Sequence, residues 1–313
     1  MKPFRFLAEA RAIASGRELG ETARRAEAIG IDVLVIPDHL ISQLAPIPAM
    51  ATIAAATERL RISAFVLNND LRHPAVLAQD LASLDVLSEG RLEVAIGAGW
   101  NRPEYEAIGL EFDAPPVRQA RLAEAVAVLK GCFGDGPFSF DGEHYTITGY
   151  DAQPKPVQKP HPPIFIGGGG RKTLTLAARE AQTVGLAPRI LPNGAGDPAS
   201  VTVAATAEKI AWVRDAAGGR FEELELNIYP SMTGISITDH ARREAEELAG
   251  ALHARSGVRV SADQLLESPH IFIGSVDGFV EKFTRLREEL GISSVMVGDV
   301  DELRPVVERM AGT

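Results

Sequence analysis

The chain has 313 residues, 45% of them hydrophobic, which is enough to fill a sizeable core and too long for a small stapled module. Its net charge of −10, with no basic block set apart, excludes a nucleic-acid surface, and its single cysteine, Cys132, excludes an internal disulfide framework. No run of about 18 apolar residues is present, and Met1-Lys2-Pro3-Phe4-Arg5-Phe6 breaks any signal-peptide apolar region, so a cytoplasmic protein with a small-molecule partner and no membrane contact is expected.

Residues 4–8 read as a short strand and 16–29 as an amphipathic helix with Leu19, Ala23, Ala26 and Ile29 on one face. The apolar run Ile31-Asp32-Val33-Leu34-Val35-Ile36 follows as a strand and delivers Asp38 and His39 at its C-terminal end. A helix is expected over 48–57, a strand over 62–67, a helix over 74–87 and a strand over 92–96 that runs into Gly97-Ala98-Gly99-Trp100-Asn101. After a longer helix at 117–133 the pattern turns irregular, with a hairpin over 138–147 around Asp141-Gly142. The rhythm resumes with a strand at Ile164-Phe165-Ile166, a helix from Thr173, a strand at 183–186, a helix at 201–217 and a strand at 224–228. A second break at 229–275 holds a charged helix near 239–254, whose Arg242-Arg243-Glu244-Ala245-Glu246-Glu247 reads as a solvated face. A helix at 276–290, a strand at 294–297 and a helix at 301–310 close the chain.

Eight strands, each followed by a helix and with no linker, predict an α/β chain forming a single (β/α)8 TIM barrel over 1–313, with insertions near 134–162 and 229–275. In such barrels the active site gathers at the C-terminal ends of the strands, where Asp38-His39, Asn68-Asn69, Gly97 to Glu104, Gly167 to Arg171 and Ala187 to Arg189 are expected to converge.

The fifth strand stops in Gly167-Gly168-Gly169-Gly170 and restarts as a helix at Arg171-Lys172-Thr173. Glycines at a strand-to-helix turn let backbone N–H groups approach a ligand, and the following helix adds the positive end of its dipole, so an anion site for phosphate is expected there, with Arg171 as a clamp. A Walker A loop is missed by one residue, since Arg171 stands where glycine is required. Gly97-Ala98-Gly99 likewise falls short of the dinucleotide fingerprint, whose third glycine would be Arg102. His39 either moves a proton or hydrogen-bonds neighbouring backbone; Asp38 either orients His39, bonds a cofactor ring or caps the next segment. Glu104 reads as a solvated loop acid, Trp100 as packing, and His73, before Pro74, as a helix-entry residue rather than a base. No metal-ligand spacing is present, so no metal is expected.

Val35-Ile36-Pro37-Asp38-His39, the run from Leu71-Arg72-His73-Pro74 to Ser88-Glu89-Gly90-Arg91, Gly97-Ala98-Gly99-Trp100-Asn101 with Glu104-Tyr105, and Pro163 through Gly170 together resemble the bacterial luciferase-like superfamily, over nearly the whole chain. The pattern is most similar to its F420-dependent oxidoreductases. The resemblance implies hydride transfer between the deazaflavin F420 and a small organic substrate, with His39 as base and Glu104 as acid. It implies a cofactor phosphate held after the fifth strand by Gly167, Gly168, Gly169, Gly170 and Arg171, a non-proline cis peptide within Ala64-Phe65-Val66, and further cofactor contacts from Asp38, Gly97, Gly99, Trp100 and Asn101. The alternatives are an FMN-dependent monooxygenase and a non-catalytic flavin- or sugar-phosphate-binding barrel. Barrels of this family commonly pair, so a homodimer is expected, through Ala-rich helix faces at Ala51, Ala54, Ala55, Ala78 and Ala82.

Overall fold

The computed structural model describes residues 1–191 and 195–313. The fold is α/β, of the (β/α)8 class, and the expected strands are all found: Arg5–Glu9, Val33–Ile36, Arg61–Ala64, Val94–Gly97, Ile164–Gly168, Thr183–Leu186, Glu225–Ile228 and Ile292–Asp299. The chain forms two compact units, one of Met1–Glu9, Arg25–Asp32 and Ile166–Thr313, the other of Ala10–Arg24 and Val33–Phe165.

In the second unit Val33–Ile36 pairs in parallel with Arg61–Ala64, Val33 opposite Arg61 and Ile36 opposite Ala64. The third strand then breaks. The Phe65–Val66 peptide is cis, inside the expected stretch, and the chain re-enters as Leu67–Asn68 beside a different neighbour, Leu67 opposite Ile96 and Asn68 opposite Gly97. Val33–Ile36 and Val94–Gly97 are buried at every residue. That is why their sequences are apolar without alternation. The helix Pro74–Leu87 starts at Pro74, whose missing N–H costs nothing there, and His73 caps it by accepting from Ala75 N (3.3 Å), the helix-entry role expected of it.

The alanine faces turn out differently from the expectation. Ala54, Ala78 and Ala82 are buried within the chain and at most 4% exposed, because small residues let the helices Pro46–Ala56 and Pro74–Leu87 pack closely on their neighbours. Of the named alanines only Ala51 and Ala55 reach the outside. The hairpin is present as Phe138–Asp141 against Thr146–Tyr150, antiparallel. Its turn is anchored by the Glu124 carboxylate, which accepts from the N–H groups of Glu143, His144 and Tyr145 at 2.8, 2.9 and 3.1 Å.

In the first unit Arg5–Glu9, Ile292–Asp299, Glu225–Ile228 and Thr183–Leu186 lie side by side in that order, all parallel. The helix Val276–Leu290 is capped by Ser275 Oγ on Gly278 N (3.1 Å), ended by Gly291 with φ 71°, and buries Phe279, Phe283 and Leu286 at helical spacing. The 229–275 segment contains the charged helix, Ala241–Ser256, and a second helix, Ala262–Glu267, with the strands Ser236–Ile237 and Ile273–Gly274 paired in parallel. Ala245, Leu252, Leu265 and Ile271 give it an apolar cluster. Its outer face is charged as expected, with Arg242 and Arg243 facing Glu246 and Glu247 one turn on. Among the described residues no helix is long and apolar enough to cross a membrane.

His270 lies in this interior with Nδ1 3.2 Å from Tyr229 O and Nε2 without a protein partner among the described residues. Burial, with Lys209 and then Lys282 nearby, pushes its pKa down from 6.5 to about 3. Between those two values the unfolded chain binds a proton that the folded one refuses, so the contribution of His270 is complete above pH 6.5 and is lost as pH falls towards 3. Denaturant midpoints of the wild type are expected to drop between pH 7 and pH 5, and those of His270→Gln to drop less; identical pH profiles would exonerate His270.

Candidate active site

His39 stands just beyond the buried strand Val33–Ile36. Glu104 sits in a six-residue helix, Arg102–Ala107, that the sequence pattern did not show. The two meet: His39 Nδ1 is 2.9 Å from Glu104 Oε1 and 3.1 Å from Oε2. The glutamate side chain is 8% exposed and the histidine side chain 25%. Glu104 is therefore not a solvated loop acid. An ionised carboxylate can only accept, so against ionised Glu104 it is Nδ1 that donates, which leaves the Nε2 of a neutral imidazole to hold the lone pair. Trp100 stands edge-on to the imidazole, centroids 5.5 Å apart at 81°, and is 60% exposed. An exposed indole beside a polar pair is a wall rather than core packing.

Asp38 is spoken for by other groups. Its carboxylate takes two hydrogen bonds from Arg72, at 2.6 and 3.0 Å, and a third from Asn68 N at 2.9 Å. It holds the third-strand exit against the second rather than orienting His39. Asn68 Oδ1 accepts from Asp70 N (3.1 Å) and lies 2.9 Å from Tyr105 Oη, which is also 3.1 Å from Asp70 Oδ2. Burial first, and then the Asp70 charge, push the Tyr105 phenol up to about 12, so it remains a donor. Arg121 neutralises Asp70 at 3.0 Å and also reaches Asp113.

Arg118 grips the turn that carries Trp100. It donates to Asp113 O (2.9 Å), Ala98 O (3.1 Å) and Gly99 O, and stacks 4.0 Å from the Phe112 ring centre. Gly99 has φ +71°, and a Cβ there would lie 1.9 Å from Tyr105 Oη and 2.6 Å from Asn68 Oδ1. Gly97 is equally confined, since a Cβ would come within 2.8 Å of Val66 Cγ2. Both glycines are thus explained by neighbouring side chains before any ligand is invoked. Ala64 is buried, whereas Phe65 and Val66 are half-buried, and the Phe65 ring lies 5.4 Å from that of Phe165. Asn101 is the residue before the short helix, and its side chain makes no capping bond.

In the first unit the glycine run leads into the ten-residue helix Arg171–Glu180, with Gly170 at its N-cap, φ −113°, and no capping side chain. None of Gly167, Gly168, Gly169 and Gly170 has positive φ. A Cβ on Gly168 would press on Thr173 Cγ2 at 2.7 Å, and one on Gly169 on Pro188 O at 2.5 Å, whereas one on Gly170 would meet no described atom within 4 Å. The open space along the run is at Gly170. The first helical turn has no acidic residue and begins with exposed Arg171 and Lys172. Cations there oppose the helix dipole, an arrangement that a bound anion relieves. Arg189 instead pairs with Asp197 at 3.0 Å. Sequence gives no role to Arg72, Tyr105, Arg118 or Arg121: Arg72 and Tyr105 lie inside the motifs quoted above, but Arg118 and Arg121 sit on a long helix, Pro115–Phe133, with no local signal.

In the second unit His39 and Glu104 pair beyond the strand Val33–Ile36, and in the first unit the glycine run leads into an uncapped helix, within a fold of the (β/α)8 class. The chain belongs to the luciferase-like monooxygenase family, whose profile matches residues 2–290. Over 125 residues it is 38% identical to the FMNH2-dependent dimethylsulfone monooxygenase of Pseudomonas putida, covering 40% of this chain and 34% of that protein. Over 204 residues it is 33% identical to the F420-dependent glucose-6-phosphate dehydrogenase of Nakamurella multipartita, covering 60% of this chain and 58% of that one. The chain thus spans between 34% and 58% of the length of these relatives. Among solved structures it resembles an F420-dependent secondary alcohol dehydrogenase in complex with an F420-acetone adduct, at 22% identity with a TM-score of 0.76, covering 99% of this chain and 98% of that one. It also resembles the coenzyme F420 dependent tetrahydromethanopterin reductase from Methanopyrus kandleri, at 18% identity with a TM-score of 0.77 and the same coverage. Family members are oxidoreductases or monooxygenases, and the related proteins use F420 or reduced FMN.

Proposed function

We propose that the chain is an F420-dependent oxidoreductase acting on a small organic substrate. The observation that carries this reading is the 2.9 Å hydrogen bond between His39 Nδ1 and Glu104, which fixes a ring nitrogen for proton transfer. F420, when bound, supplies the hydride chemistry. Glu104 holds the imidazole in one tautomer and stabilises its charged form when Nε2 has taken a proton. In the reverse direction the same Nε2 returns it. Trp100 restricts water beside the ring, and Arg118, by holding Ala98 and Gly99, keeps Trp100 in place. Gly170 and the N–H groups after it would hold the cofactor phosphate, with Arg171 and Lys172 adding charge.

The second reading, oxygenation with reduced FMN, rests on the Pseudomonas putida relative. Titration of the purified protein with F420, FMN and reduced FMN, followed by fluorescence, is expected to give a Kd for F420 lower by about tenfold or more, equivalent to roughly 1.4 kcal/mol. Tighter binding of reduced FMN would move the assignment to a monooxygenase. Failure of all three to bind would end both.

A further inference from the structure

We propose that Lys209 is a positioning residue for the glycine-rich anion loop, acting through the backbone of Ala187 and Pro188. The inference rests on the reading of that loop as a phosphate site. Lys209 lies on the helix Val203–Ala217 and is 2% exposed. Its Nζ donates to Ala187 O (2.8 Å), Ser200 O (3.0 Å) and Ser200 Oγ (2.9 Å), three acceptors for the three N–H bonds of an ammonium. Burial, and then the charge of Arg189, pull its pKa from 10.5 down to about 8, with Asp197 and Glu208 opposing, so the charged donor persists at neutral pH.

A buried ammonium whose hydrogen bonds go to two carbonyls and a hydroxyl is a costly way to fill space. An apolar side chain of the same length would fill it more cheaply. What the lysine adds is a fixed position for Ala187, the residue just past the strand Thr183–Leu186. On its other side Ala187 N donates to Gly168 O at 3.0 Å. The same stretch touches the next glycine: a Cβ on Gly169 would sit 2.5 Å from Pro188 O and 3.0 Å from Ala187 O. Ala187 is therefore clamped between Lys209 and the glycine run, and Ser200 Oγ extends the clamp by accepting from Arg189 N at 2.9 Å. A loop that binds an anion through backbone N–H groups works only if those groups are held to within about 0.5 Å. Gly170 lacks a capping side chain that could do this locally, so the holding comes from Lys209.

The test uses two pairs of probes that differ in the phosphate end: FMN against riboflavin, and F420 against the deazaflavin riboside alcohol without phosphate. For the wild type the phosphate-bearing member is expected to bind at least about tenfold tighter, the value of one or two charge-assisted hydrogen bonds. Gly170→Ala, which crowds only the anion, lowers that preference. Lys209→Met is expected to bring it to within about threefold while leaving riboflavin affinity unchanged. Ser200→Ala, which removes one acceptor, lowers it less and serves if Lys209→Met does not fold. If the wild type shows no preference, the phosphate reading itself fails. If the wild type prefers phosphate and the folded variants keep the full preference, or lose both probes in equal measure, Lys209 has no positioning role.

Discussion

Replacing His39 with alanine is expected to lower turnover by about 10² to 10⁴ while cofactor affinity stays within a few-fold, because a positioned acid or base acts in the transition state and contributes little to binding. The geometry makes the expectation specific. Only Nδ1 of His39 is bonded to Glu104, at 2.9 Å, so the alanine variant loses the proton carrier and leaves a nearly buried carboxylate without its partner. Glu104→Gln separates the two contributions. Its amide oxygen can still accept from Nδ1 and keep the tautomer, but it cannot stabilise the imidazolium, so a loss smaller than that of His39→Ala is expected, with the pH profile of turnover displaced. Rates would be measured on a panel of alcohols, sugar phosphates and activated alkenes with F420 in the matching redox state, and affinities by fluorescence titration. Should rate, affinity and melting temperature all fall together, His39 is a structural residue; should activity persist, it is outside the mechanism.

The second large effect falls on stability. Gly99→Ala places a Cβ 1.9 Å from Tyr105 Oη at a φ of +71°. The left-handed backbone costs about 1 to 2 kcal/mol for a residue with a Cβ, and overpacking a filled site adds about 1 to 3 kcal/mol. The turn is also gripped by Arg118, so it has little freedom to retreat. A clear fall in the denaturant midpoint with unchanged slope is expected. Adding Tyr105→Phe should recover part of it, since the hydroxyl is the nearest obstacle, and the double-mutant cycle measures how much. A Gly99→Ala protein as stable as the wild type would show that the turn is set some other way.

What sequence could and could not reveal follows from range. The strands Val33–Ile36 and Val94–Gly97 were legible because burial on both faces leaves an uninterrupted apolar run. The helix Arg102–Ala107 was not, being less than two turns, Arg102-Pro103-Glu104-Tyr105-Glu106-Ala107, too short after a glycine turn to show a periodic face. With it went the burial of Glu104, the fact that turns a loop acid into the partner of His39. Periodicity showed that the helices Pro46–Ala56 and Pro74–Leu87 have alanine faces, but not that Ala54, Ala78 and Ala82 are buried within the chain itself. Arg118 and Lys209 stayed hidden for a common reason: each spends its charge on carbonyls remote in sequence, and a basic residue on a helix gives no local sign of that.

The grip of Arg118 has a further consequence in polymer terms. One guanidinium holds Ala98 and Gly99 at one end and Asp113 at the other, so the chain between is a closed loop whose ends meet at a fixed point. The entropic cost of such a loop grows only logarithmically, by about 0.6 kcal/mol per doubling of its length. Glu106, Ala107, Ile108 and Gly109 lie on its exposed side, past Glu104 and Tyr105. Glu106 and Ala107 belong to the helix that carries Glu104. It is past them, at Ile108 and Gly109, that lengthening the chain is expected to leave both anchors and the His39 partner where they are, and to change the rim of the site at little cost to the frame that supports it.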